Sequence, residues 1–189
     1  MWYVMEADED AGIYLGFKEN VTEEKFKSAI EKKQLCELLN FYPVKPGEAY
    51  FIPSGTIHAI GKGCLICEIQ QNSNLTYRVY DYGRRDKFGN ERELHIEKAL
   101  AVTSFSRFEA EPKKSGILGS CKYFTVTKQN IEGSFEKNAD TESYNAVTCT
   151  EGCGVIEGEK ITAGDSFFIP AGYGSYRIVG NLEVLITKT

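Results

Sequence analysis

The chain has 189 residues, 42% hydrophobic and 26% charged, a balance that suits one globular domain or two small ones. Acids outnumber Lys and Arg by 27 to 22, for a net charge of -5; this excludes a general nucleic-acid binder but not a phosphorylated ligand held by a few local arginines. No apolar run approaches the ~18 residues of a membrane span, and Glu6, Asp8, Glu9 and Asp10 interrupt the start where a signal peptide would be apolar, so no membrane partner and a cytoplasmic location are expected.

Residues 1–5 read as an apolar strand and residues 13–17 as a second. Residues 22–33 read as a short helix. Thr22 is its N-cap, Glu23 and Glu24 suit its positive end, and Lys32 and Lys33 suit its negative end. Phe26, Ala29 and Ile30 give it one apolar face. Strands are expected at 38–44, 50–52, 57–60, 65–69 and 76–80. Residues 82–92 are polar, with Gly83, Gly89 and Asn90, and read as a loop. Residues 94–102 read as a short amphipathic helix joining two halves of the chain. Beyond about residue 107, strands are expected at 123–127, 143–148, 155–156, 166–169, 175–178 and 183–187. Glu151-Gly152, Glu157-Gly158 and Ala163-Gly164 punctuate them as turns. Short strands so closely spaced indicate a sandwich or barrel.

One stretch carries the most information. Residues 47–58 read G-x5-P-x-G-x2-H, from Gly47 through Pro53 and Gly55 to His58. Pro53 ends a short strand because it has no N–H for a ladder. Gly55 permits the positive φ of a tight turn. His58 then opens the next strand as a metal-ligand candidate. The pattern returns from Gly164 through Pro170 and Gly172, with Ser175 where His58 stood. Two barrels follow from that recurrence, the first offering a metal ligand and the second not. The fold expected is mainly all-β: two jelly-roll barrels with short helices. Residues 1–92 form the barrel with the metal and substrate site, 93–107 a helical linker, and 108–189 the second barrel.

A lone histidine is often structural; the motif around His58 argues for a ligand. Glu68 is a carboxylate in an otherwise apolar strand, either a pocket wall or a strand-end surface residue. The run Gln70-Gln71-Asn72-Ser73-Asn74 can hydrogen-bond a polyol or make ordinary turns. Arg78, flanked by β-formers, points either into a pocket, where its fork suits phosphate or an enediolate, or outward to an acid. Arg84 and Arg85 could add charge for a phosphate, and His95 reads as structural. The six cysteines are expected as free thiols. Cys64 and Cys67 lie on one strand, where alternation puts their sulfurs on opposite faces. No second cysteine pair has ribbon spacing, so no zinc ribbon is expected.

The stretch 44–60 resembles the type I mannose-6-phosphate isomerases of the cupin superfamily, in their compact bacterial form. So do Trp2-Tyr3-Val4, the run 68–73, Tyr77-Arg78-Val79-Tyr80-Asp81 and the run 92–100. The G-x5-P-x-G-x2-H pattern itself is similar to the second cupin metal motif. The resemblance implies cupin-type jelly rolls and an enzyme that interconverts mannose 6-phosphate and fructose 6-phosphate through a zinc-assisted cis-enediol. It implies His58 as the last of four zinc ligands, Glu68 and Arg78 as walls of the sugar-phosphate pocket, and Arg78 as the catalytic group that stabilises negative charge. The other three ligands of the family, a Gln-x-His pair and a Glu, belong upstream of Met1 and are not in this sequence. The expectation is therefore an isomerase chain lacking its N-terminal segment, weak for zinc alone and prone to self-association where Trp2 and Val4 lose their cover. The alternatives are a non-catalytic cupin that binds a sugar phosphate, or one subunit of a split isomerase.

Overall fold

A computed structural model describes residues 1–73 and 75–189 of the chain. The elements run β1 (Trp2–Ala7), β2 (Gly12–Phe17), α1 (Glu23–Glu31), α2 (Leu35–Leu38), β3 (Leu39–Pro43), β4 (Ala49–Tyr50), β5 (His58–Ile60), β6 (Cys64–Glu68), α3 (Ile96–Leu100), β7 (Ile117–Ser120), β8 (Thr125–Ala139), β9 (Asn145–Ile156), β10 (Glu159–Thr162), β11 (Ser166–Ile169) and β12 (Gly174–Lys188). Every strand pair is antiparallel. The mainly all-β expectation holds.

The first half is built from two three-stranded sheets, β4-β1-β6 and β3-β2-β5. Alternation along the apolar start of the chain explains how they meet. Trp2 and Val4 of β1 face inward and pack with Ile13, Leu15, Val44 and Tyr50. Met1 and Tyr3 face the other way, onto Leu118, Phe124, Val126 and Leu185 of the second half. The sheet of β1 is thus buried on both faces, as its near-continuous apolar run requires. Trp2 is 3% exposed and Val4 0%, so the uncovered apolar wall expected there is not present.

Helix α1 starts as its sequence dictates, with the Thr22 side chain accepting from Lys25 N at 3.2 Å. Phe26, Ala29 and Ile30 are its buried face. Phe26 and Ile30 pack with Phe17 and Leu39 of the β2 sheet and with Ala99 and Leu100 of α3. The helix expected at 94–102 is shorter than that, and it is anchored to the first half. The connection from α3 to β7 runs back along both small sheets through bridges Phe17–Arg107 and Ala49–Lys113. The strand expected at 76–80 is absent: these residues form no ladder, and Val79 is buried among the helices.

The second half is one six-stranded sheet in the order β10-β9-β12-β8-β7, with β11 also paired to β9. Residues from five of its strands, among them Ile131, Val147, Ile161, Ile169 and Ile178, share one core. A flat sheet cannot do that, so this one must fold over. The crease is visible in the register, where Gly180 stands opposite Gly133 on one side and Gly154 on the other. A Cβ at Gly154 would lie 2.4 Å from the Val179 carbonyl oxygen. The strand pairing therefore shows two facing sheets followed by a creased sheet, without itself closing either half into a barrel. No described helix is long and apolar enough to cross a membrane.

Candidate active site

Two of the four connections between the small sheets, β1 to β2 and β5 to β6, turn at one end of the first half. Asp8 N bonds the Gly63 carbonyl at 2.9 Å and Gly61 N bonds the Gly12 carbonyl at 2.9 Å. The opposite end is where β1 begins, β5 begins and β6 ends. That end brings Trp2, His58 and Glu68 together. The repeated motif works as its residues demand: Gly47 and Gly55 have φ of 88° and 82°, and Gly164 and Gly172 have 96° and 77°.

His58 pairs with Leu15 at the start of β5. Its Nδ1 lies 2.7 Å from the Thr56 carbonyl oxygen. A carbonyl only accepts, so Nδ1 carries the proton and Nε2 of the neutral ring keeps its lone pair. His58 is exposed, and its ring meets Trp2 in a T-shaped contact with centroids 5.1 Å apart. Trp2 stands opposite Glu68 in the ladder, which places both side chains on one face. Its Nε1 donates to Glu68 Oε1 at 3.1 Å. Glu68 is the exposed last residue of β6, as a strand-end reading has it, yet its carboxylate is held by the indole.

Among the described residues, no hydrogen bond or ion pair joins Arg78 to that group. Its carbonyl accepts from His95 N at 2.7 Å, and its own N lies 3.3 Å from His95 Nδ1. His95 is therefore structural. Among the described residues, the Arg78 guanidinium makes no hydrogen bond or ion pair, and it is the only arginine of which this is true. Arg84 and Arg92 both pair with the buried Asp81, at 2.8 Å and 2.7 Å. Arg85 pairs with Glu91, Arg107 with Glu109, and Arg177 donates to Ser134. The Arg92 clasp, opposed by burial and helped by Arg84, holds the Asp81 carboxyl at about 2. Arg84 and Arg85, expected as free charge for a phosphate, are thus already matched by acids.

Gln70, Gln71 and Asn72 line a cleft of about 500 Å³ between the two halves, with Glu68 at its edge. His58 and Arg78 do not line it. Asn74, the end of the amide run, lies outside the described residues. Cys64 packs into the inner core and Cys67 into the core between the halves, on opposite faces as alternation requires.

Two features escaped the sequence reading. From the sequence Trp2 reads as part of a motif and, with Val4, as uncovered apolar surface, although alternation with Val4 places it on the inner face. The second is a polar cluster between the halves. Glu183 accepts from Tyr3 and from Thr150 (2.7 Å) and pairs with Lys128 at 2.9 Å. Burial pushes the Glu183 carboxyl up, but those donors together hold it below the usual carboxylate range. Nothing local in the sequence links positions so far apart.

A catalytic zinc takes about three protein ligands. Among the described residues, no three His, Cys, Asp or Glu side chains group closely enough to hold a metal ion. His58 keeps one ring nitrogen free of protein hydrogen bonds, and the described residues do not by themselves make a zinc site.

Residues 116–188 match the family model of the mannose-6-phosphate isomerase cupin domain. Over 98% of its length the chain is 36% identical to the mannose-6-phosphate isomerase ManA of Bacillus subtilis, covering 62% of that protein. It is 37% identical over its full length to the mannose-6-phosphate isomerase of Streptococcus mutans, covering 63%. The crystal structure of the Bacillus subtilis mannose 6-phosphate isomerase superposes on 98% of this chain with a TM-score of 0.85 at 33% identity, again over 63% of that chain. The chain therefore spans somewhat under two thirds of the length of these relatives and shares their cupin fold.

Proposed function

We propose, because the chain belongs to the mannose-6-phosphate isomerase family, that it carries part of an aldose–ketose isomerase site for mannose 6-phosphate and fructose 6-phosphate. The observation that carries this reading is the meeting of His58 and Glu68 around Trp2 at the open end of the first half. His58 is one ligand of a zinc ion whose remaining ligands come from outside these 189 residues. Bound zinc supplies Lewis-acid polarisation of sugar oxygens. Thr56 holds the imidazole in the tautomer that presents Nε2. Trp2 holds Glu68 in place to orient sugar hydroxyls. Arg78, with no acid matched to it, is the cation for the substrate and for the negative charge that develops as a proton moves between C1 and C2. The cytoplasmic location expected from the sequence goes with this reading.

The single-ligand site also favours a second form of the proposal, in which the chain is one subunit of a split isomerase or binds the sugar phosphate without turnover. A coupled assay of mannose 6-phosphate turnover separates them. The purified chain is assayed with zinc, alone and with the portion of the Bacillus subtilis relative that it does not match. We expect little activity alone, recovery on addition, and a loss of at least about 100-fold from the recovered rate in His58→Ala. Recovery that His58→Ala leaves intact would contradict the zinc role. Absence of recovery, with retained sugar-phosphate binding, would favour the binding module.

A further inference from the structure

The face of the second sheet that covers β1 changes character along its length. Beside Met1 and Tyr3 it offers Val126 and Leu185 and is apolar. Beyond them the chain entering β9 presents Tyr144, Ala146 and Thr148 in alternation, while Val147 and Cys149 point into the core. Thr187 stands opposite Ala146 in the ladder and so joins the same face. Where this face turns hydroxyl-rich the two halves part, and the cleft of about 500 Å³ opens. Its facing wall is the chain leaving β6, with Gln70, Gln71 and Asn72. Tyr123 and Phe124 supply the aromatic surface.

A surface destined only for packing would remain apolar here. These side chains instead converge donors and acceptors on an open space. Each amide offers two N–H donors and an acceptor, and each hydroxyl offers both roles. Among the described residues, the side chains of Gln70, Gln71, Asn72 and Tyr144 make no hydrogen bond, so their polar atoms are available to a ligand. Charge decides the ligand class. No Lys, Arg or His lines the cleft, and Glu68 is its charged residue. The adjacent Lys122 lies over the Tyr123 ring, its Nζ 4.6 Å from the centroid. Among the lining residues a phosphate would meet a carboxylate and no cation.

We propose that the cleft between the two halves binds a neutral polyhydroxylated small molecule, a free sugar or sugar alcohol, beside the proposed sugar-phosphate site at His58, with which it shares Glu68 but not His58. Amides and hydroxyls take its hydroxyl groups, and the tyrosine and phenylalanine rings take its C–H faces. The volume falls within the usual range for small-molecule sites, which often lie between domains.

The test is a calorimetric titration of the purified chain with mannitol, up to about 100 mM, beside one with inorganic phosphate. For a ligand of this size held without ion pairs, a Kd of about 1–10 mM is expected, with no saturable heat from phosphate. Gln71→Ala and Tyr123→Ala alter exposed side chains, so the fold should persist, as an unchanged thermal midpoint would verify. Each should weaken mannitol binding by at least about 5-fold, whereas His58→Ala should leave it unchanged. No saturation by about 100 mM, binding indifferent to both cleft variants, or phosphate binding as tight as mannitol would overturn the proposal. Because His58→Ala separates the two sites, failure here leaves the isomerase reading standing, and the reverse holds.

Discussion

The Thr56 carbonyl can only accept a hydrogen bond, so one backbone oxygen decides which nitrogen of His58 is free. Trp2 acts similarly on Glu68, by donating one N–H. Such small devices fix the side chains at this end of the molecule, and the loop near Arg78 shows a contrasting case. Asp81 is buried and met by two guanidinium groups. Its folded pKa of about 2 lies below the ordinary 3.8. A depressed carboxylate contributes stability that is fully present above its unfolded value and is lost as pH falls through the folded one. The window is therefore from about pH 4 down to about pH 2. Asp81→Asn should be less stable than the parent at pH 7. Its deficit should shrink as the pH falls through that window, because the parent then loses the ion pairs that the variant never had. Denaturant melts at pH 7, 4, 3 and 2 measure this; a deficit that stays constant with pH would contradict it.

Most strands of the first half lie close to where the sequence places them, because each is short and bounded by turn residues, although β4 stops at Tyr50, short of Pro53. In the second half the sequence suggests shorter strands than the structure has. The stretches expected at 143–148 and 155–156 are one strand, β9, and those at 175–178 and 183–187 are one strand, β12. The breaks were placed at glycines, and the structure bends there instead of stopping. A glycine signals backbone freedom, and neighbouring strands alone determine whether that freedom makes a turn or a crease. The reverse error occurred at 76–80, where β-formers pack against helices and no partner strand lies beside them. His58 was legible from a local motif, and Glu68 from its odd place in an apolar strand. Trp2 as their link and Glu183 as a clamp depended on contacts across the fold. The crease is testable. A Cβ at Gly154 meets backbone at 2.4 Å, whereas one at Gly158 (φ 89°) meets nothing within 4 Å. Gly154→Ala should cost about 2–3 kcal/mol through crowding, and Gly158→Ala about 1 kcal/mol through backbone strain alone. Chemical denaturation of both variants gives the comparison; equal losses would remove the crease argument.

Across the whole molecule, β1 ties the halves together. One of its faces completes the inner core of the first half, and the other sits on Leu118, Val126 and Leu185 of the second. The Tyr3–Glu183–Lys128 cluster adds a direction to that otherwise apolar contact, since a half-buried carboxylate must meet its donors in one arrangement. The strand that begins at the site end of the first half is thereby packed against the second half. Under the proposed function the site there is partial, since among the described residues no three His, Cys, Asp or Glu side chains group to hold a metal ion. The most direct measurement is a zinc titration of the purified chain by calorimetry, with His58→Ala in parallel. A single protein ligand predicts a Kd weaker than about 1 µM, with the remaining affinity lost in His58→Ala. A Kd tighter than about 1 µM, or binding that survives His58→Ala, would mean that these 189 residues hold a zinc site of their own and would contradict the account.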